Sequence, residues 1–145
     1  MALPPLFPLA PVCVLLTGVL AIGVFSRALS AKGKGWLAFS FGTASLLCVL
    51  LLFSSTARGG SFDLKLVPWD GVVLLAYHID GLSQLFALMA AGIGTAVLLF
   101  SVGYMAHDRA TARFYMLMLV FIAGLIHLVY AADLFLMYLS WEIIG

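Results

Sequence analysis

The sequence predicts an all-α polytopic membrane protein with four full transmembrane helices, the first half of a fifth, and a small external β-hairpin between helices 2 and 3. Three observations predict it. The 145 residues hold only seven Lys or Arg and six Asp or Glu, and 65% are hydrophobic. The mean hydropathy is +1.21. Four apolar stretches reach the ~20 residues that a helix needs to cross a ~30 Å hydrocarbon core. A chain that is 9% charged cannot cover a soluble surface, where roughly a quarter of residues are charged. A soluble enzyme and a disordered tail are both excluded. The net charge of +1 gives no basic footprint, so nucleic acid is not a partner and the lipid bilayer is.

Helix 1 is expected over about 8–26, with Pro4, Pro5, Pro8 and Pro11 near its start, where missing amides are tolerated. Helix 2 runs over about 36–56, beginning at Trp36. Helix 3 covers about 82–104 and carries no charge. Ala87, Ala90, Ala91 and Gly94 on it would let a neighbour approach closely. Helix 4 covers about 114–131 and includes His127. A fifth helix begins at Leu134 and reaches Gly145, roughly 18 Å at 1.5 Å per residue. Free carbonyls and a carboxylate at that depth would be costly, so the chain reads as the N-terminal piece of a larger fold, 1–145 forming one membrane domain.

Between helices 2 and 3, Phe62-Asp63-Leu64-Lys65-Leu66 alternates apolar and polar residues as a half-buried strand does. Pro68-Trp69-Asp70-Gly71 is a turn signal, and 72–77 is the return strand. This hairpin, about 62–77, is expected to lie on the outer surface with Trp69 and Tyr77 near the headgroups. Arg27, Lys32 and Lys34 between helices 1 and 2, and Arg109 and Arg113 against Asp108 between helices 3 and 4, place those links in the cytoplasm. Arg58 and Lys65 are outnumbered by Asp63, Asp70 and Asp80, so the hairpin link, the N-terminus and the turn at 131–133 are external. No secretory signal is evident, because the first basic residue, Arg27, follows the apolar stretch.

The chemistry-bearing candidates are few. Glu142 lies nine positions after Asp133, about 13.5 Å along a helix and near the midplane. An ionisable group there costs at least ~2.5–3.5 kcal/mol, so it faces a polar interior and marks an ion path. The alternative is a protonated Glu142 that only hydrogen-bonds a neighbouring helix. His127 lies about 9 Å below the same interface and is a candidate proton relay, against the reading of a neutral, hydrogen-bonded imidazole. Asp80 before Gly81-Leu82-Ser83 and Asp133 before Leu134-Phe135 read as helix N-caps. Arg109 and Arg113 read as cytoplasmic anchors and Trp141 as a packing residue. Cys13 and Cys48 read as apolar fillers, without metal-ligand spacing. The sequence has no nucleotide loop, cysteine cluster, Ser-His-Asp set or haem-attachment pattern, so no cofactor or metal is expected on this chain and it performs no redox chemistry or hydrolysis by itself.

Three stretches in order resemble a known family. They are Asp80-Gly81-Leu82-Ser83; Ser101-Val102-Gly103-Tyr104-Met105; and Arg113-Phe114-Tyr115 leading to Asp133-Leu134-Phe135-Leu136-Met137-Tyr138 and Trp141-Glu142-Ile143-Ile144-Gly145. Residues 80–145 look like the N-terminal part of the antiporter-like membrane subunits of respiratory complex I, Mrp-type sodium/proton antiporters and membrane-bound hydrogenases. The resemblance is greatest to the large distal subunit of complex I and its Mrp counterpart, and Gly92-Ile93-Gly94-Thr95 has an Mrp flavour. Residues 1–79 match only in layout.

The resemblance implies that Glu142 is the family's helix-5 glutamate, which pairs with a lysine on a later helix and passes protons as the pair opens and closes. Asp80, Tyr104, Arg113, Asp133 and Trp141 are then motif positions. The sequence departs from the family at 123–127, where a methionine is common and His127 is not. It also has no lysine after Lys65. The expected function is proton, or sodium, translocation within a complex I-type NADH:quinone oxidoreductase or an Mrp antiporter. The expected place is the energy-transducing inner membrane. The partners are a chain supplying the remaining helices and the lysine, and other membrane-arm subunits. A non-transporting scaffold of a split subunit and a membrane partner in inorganic-carbon uptake are the alternatives.

Overall fold

The computed structural model describes Pro4 and residues 6–56, 59–69 and 72–145, with side chains throughout except at 66–69 and 72–75. Pro5, Arg58 and the turn residues Asp70 and Gly71 lie outside the described residues, as does the side chain of Trp69. The elements run α1 (Ala10–Phe25), α2 (Ala31–Thr56), β1 (Phe62–Trp69), β2 (Val72–Ile79), α3 (Gly81–Tyr104), α4 (Thr111–Tyr130) and α5 (Leu134–Ile144). Short 3-10 turns at Phe7–Leu9 and Met105–His107 lead into α1 and out of α3. Among the described residues, four helical segments are long and apolar enough to cross a membrane. The chain is a multi-pass membrane protein.

Helix α2 starts five residues before the expected Trp36. The Ser30 hydroxyl accepts the Gly33 amide 3.1 Å away, so the helix begins at that cap and not where the apolar run begins. Its first turn, with Lys32 and Lys34, extends beyond the apolar span. The strands pair antiparallel from Phe62 opposite Ile79 to Trp69 opposite Val72, with irregularities between Lys65 and Val67 and between Val67 and Pro68. The hairpin is thus slightly longer than expected.

α1 packs on α2 and α4, α3 packs on α2 and α4, and α5 lies along α4. Missing β-carbons set two of these approaches. A Cβ on Gly94 would stand 2.5 Å from Ile122 Cγ1, and one on Gly42 would stand 2.8 Å from Leu98 Cδ1. At the end away from the hairpin, the buried Tyr115 hydroxyl donates to the Ser101 carbonyl at 2.8 Å and sits over Gly35. The Ser45 hydroxyl donates to the Pro11 carbonyl at 2.9 Å, tying α2 to α1. The bundle's outer surface stays apolar, with Leu20 69% and Phe100 73% exposed. That is the surface a hydrocarbon solvent selects.

Candidate functional site

The site forms where the hairpin meets the ends of α3, α4 and α5. Asp80 begins α3 with a reciprocal cap. Its carboxylate accepts the Ser83 amide at 2.8 Å, and its own amide donates to the Ser83 hydroxyl at 2.9 Å. Hydrogen bonds from Ser83 hold the Asp80 carboxyl below the usual carboxylate range. Nearby, His78 Nδ1 and Asp63 Oδ1 lie 2.7 Å apart across the strands. That hydrogen bond raises the His78 pKa above its ordinary value. An open pocket of about 670 Å³ lies between these groups and the α4–α5 turn.

The turn from α4 to α5 is stitched to the edge of β2. The Ala132 amide donates to the Ala76 carbonyl at 2.8 Å, and Tyr77 bridges antiparallel to Ala131. Asp133 uses both carboxylate oxygens. Oδ1 accepts the Leu136 amide at 2.7 Å and caps α5, while Oδ2 accepts the Ala76 amide at 2.9 Å. Asp133 is the expected N-cap, and it also clasps the hairpin.

Two turns beyond Asp133, the Ser140 hydroxyl donates to the Leu136 carbonyl at 2.7 Å. Its single proton is then committed, so at 2.8 Å from His127 Nδ1 it accepts from that nitrogen. Neutral His127 therefore carries its proton on Nδ1, and Nε2 is the free base. His127 also lines a small cavity with Val12, Leu16 and Gly124.

Glu142 and His127 are not brought together. Ser140 and Glu142 are about 200° apart around the helix, so the face of α5 that binds His127 is turned away from the carboxylate. Glu142 is exposed and lines a separate groove of about 510 Å³ with Leu128, Met137, Tyr138 and Trp141. Glu142 lies on one face of α5, and His127, on α4, meets the opposite face. Trp141, expected to pack, is 66% exposed and belongs to that groove. Tyr104 is exposed at the end of α3 and stacks on Phe100, and Arg113 is exposed in the first turn of α4.

Tyr77 corrects the expectation of a headgroup residue. It is 1% exposed, because β2's alternation turns it down onto the helix ends. Its ring packs edge-on against His127 at 5.2 Å and against Tyr130 at 5.8 Å. The Tyr130 hydroxyl donates to Gln84 Oε1 at 2.8 Å, and the Gln84 amide donates to the Val49 carbonyl. Sequence reading passed over Gln84, Tyr130 and Ser140. Gln84 carried a signal, since it is the one amide side chain in a largely apolar helix without charge. Among the described residues no cluster of His, Cys, Asp or Glu has a metal-binding arrangement.

Comparison with known proteins finds similarities that agree with one another. The family described as NADH-Ubiquinone oxidoreductase (complex I), chain 5 N-terminus, matches residues 71–115. The chain is 29% identical over 126 residues to the Na(+)/H(+) antiporter subunit A1 of Staphylococcus haemolyticus, covering 86% of this chain and 16% of that protein. It is 28% identical over 145 residues to NAD(P)H-quinone oxidoreductase chain 5 of a Picosynechococcus species, covering 97% of this chain and 22% of that protein. A Staphylococcus aureus Na(+)/H(+) antiporter subunit A1 is again 29% identical over 126 residues. The chain spans about a fifth of the length of these relatives or less.

Proposed function

We propose, from the premise that the chain matches the N-terminal portion of the antiporter-like membrane subunits, that it takes part in moving protons or sodium across a membrane, with Glu142 as the group that binds and releases the ion. One observation carries this reading. Glu142 is a carboxylate on an apolar helix whose opposite face is tied down, and it looks into a groove this chain leaves open. An unpaired carboxylate is expensive in hydrocarbon and becomes tolerable when a cation from a neighbouring helix can meet it. The occupant of the groove is a helix with a lysine, supplied by another segment or chain. Other membrane subunits complete the complex.

The proposed orientation has the hairpin and the α4–α5 turn outside, in an energy-transducing inner membrane. Their common location at one end of the bundle supports it, as do the basic residues at the other end. His127 is a candidate relay on a branch of its own, not a neighbour of Glu142. Energy comes from redox reactions on other subunits or from an ion gradient.

The test is Glu142→Gln in membranes that contain the chain with its native partners, with proton and sodium movement followed in sealed vesicles. A loss of about a hundredfold or more is expected, the lower range for a positioned proton-transferring side chain. Unchanged movement of both ions in a normally assembled complex contradicts the assignment and leaves a scaffold.

A further inference from the structure

We propose that Asp133 and Ser140 are positioning residues for Glu142, fixing the rotation and depth of α5 and tying the carboxylate to the external hairpin. The inference rests on the reading of Glu142 given above, and its observations are independent of that reading. Asp133, Leu136 and Ser140 follow at the i, i+3, i+7 spacing that forms one stripe along a helix. Leu136 is 1% exposed and Ser140 is fully buried.

The stripe is attached at three heights. At the top, Asp133 Oδ2 takes the Ala76 amide of β2 while Oδ1 caps the helix. Seven residues on, about 10.5 Å along the axis, the Ser140 oxygen accepts a hydrogen bond from His127 Nδ1. At the far end, Ile143 and Ile144 rest on Gly124, where a Cβ would stand 3.2 Å from Ile143 Cγ2 and 3.1 Å from Ile144 Cγ1.

The opposite stripe holds Phe135, Tyr138 and Glu142, all exposed. A short apolar helix has no intrinsic reason to choose one rotation, because leucine and phenylalanine are equally at home against lipid or protein. The polar attachments make the choice. An unmade hydrogen bond at this depth is costly, and only one rotation of α5 satisfies Asp133 and Ser140 together. That rotation presents Glu142 to the groove. It also makes β2, the α4–α5 turn and α5 a single body, so a displacement of the hairpin edge is passed to the carboxylate through the Ala76–Asp133 clasp.

Two substitutions separate positioning from capping. Asp133→Ser keeps the cap, since serine and aspartate cap about equally well, but its single short oxygen cannot also hold the Ala76 amide. Ser140→Ala removes the His127 contact together with the local bond to the Leu136 carbonyl, and leaves the Asp133 clasp in place. Both variants are measured in native membranes by the pH profile of ion movement and by the infrared carboxyl stretch of Glu142, assigned as the band lost in Glu142→Gln.

If the residues position Glu142, each variant assembles, moves the midpoint of the profile by about half a pH unit or more and shifts the band, as a changed environment of a carboxyl does. Assembled variants with the wild-type midpoint and the wild-type band overturn the proposal. Should Asp133→Ser fail to assemble, Asp133→Asn, which keeps an acceptor for only one of the two amides, and Ser140→Ala carry the same readout. The failure of the functional reading is distinct: Glu142→Gln would then leave ion movement intact, while the band still reports whether α5 has turned.

Discussion

Gln84 is tolerated inside an apolar bundle because both ends of its amide are used, the nitrogen by the Val49 carbonyl and the oxygen by the Tyr130 hydroxyl. The pair joins α2, α3 and α4 just beneath the hairpin. Replacing either partner leaves the other buried and unpaired, so Tyr130→Phe and Gln84→Leu should each destabilise the protein by about 0.5–2 kcal/mol, given that hydrogen bonds between membrane helices average well under 1. The double variant should cost less than the sum of the two. Thermal unfolding in detergent of the four proteins checks this, and strict additivity would show that the pair is not coupled. Such groups were only half legible in the sequence. An isolated glutamine in an apolar helix announces that it needs partners, but partners 35 and 46 residues away are set by packing. His127 shows the same limit. Its position at the end of α4 was legible, whereas the hydroxyl that fixes its tautomer is thirteen residues away on α5. Spacing along one helix cannot show which side of its neighbour a residue meets.

At the scale of elements, the helices were legible because apolar length dominates their placement. Boundaries were less so. Helix α2 starts at a serine cap among lysines, where the apolar signal has not yet begun. Conversely, Asp80 and Asp133 were readable as caps, because a carboxylate immediately before an apolar run has few other uses. The small residues of α3 were also readable as a close-packing face, though their partner was not. The partner of Gly94 is Ile122 on α4, whose Cγ1 and Cδ1 fill the space a methyl would take. Isoleucine is stiff at χ1 and cannot swing aside freely. Gly94→Ala should therefore push α3 from α4 and cost about 1–3 kcal/mol, the usual range for overpacking. Gly92, with open space around it, is the internal control: Gly92→Ala should be neutral or slightly stabilising. Equal melting temperatures for the two variants would contradict this account of the α3–α4 interface.

Taken as a whole molecule, the chain has a tied side and an open side. The hairpin, the α4–α5 turn and the polar groups beneath them join α2 to α5 at one end of the bundle. The outward helix faces carry large apolar side chains, and among them Glu142 is the charged group on the open face of α5. Composition alone showed that the chain belongs in a membrane, and the resemblance of its motifs to the antiporter-like subunits pointed to Glu142. Which way Glu142 faces required the fold, because it depends on hydrogen bonds from the other side of its helix. The central claim is that this carboxylate exchanges an ion within the membrane. Its most direct test is labelling by a hydrophobic carbodiimide, which reacts with carboxyls protonated in an apolar setting, followed by mass analysis of the chain and vesicle transport on the same sample. Glu142 is expected to be the residue modified, with ion movement lost in proportion to the modification. Full modification of Glu142 with transport intact would contradict it.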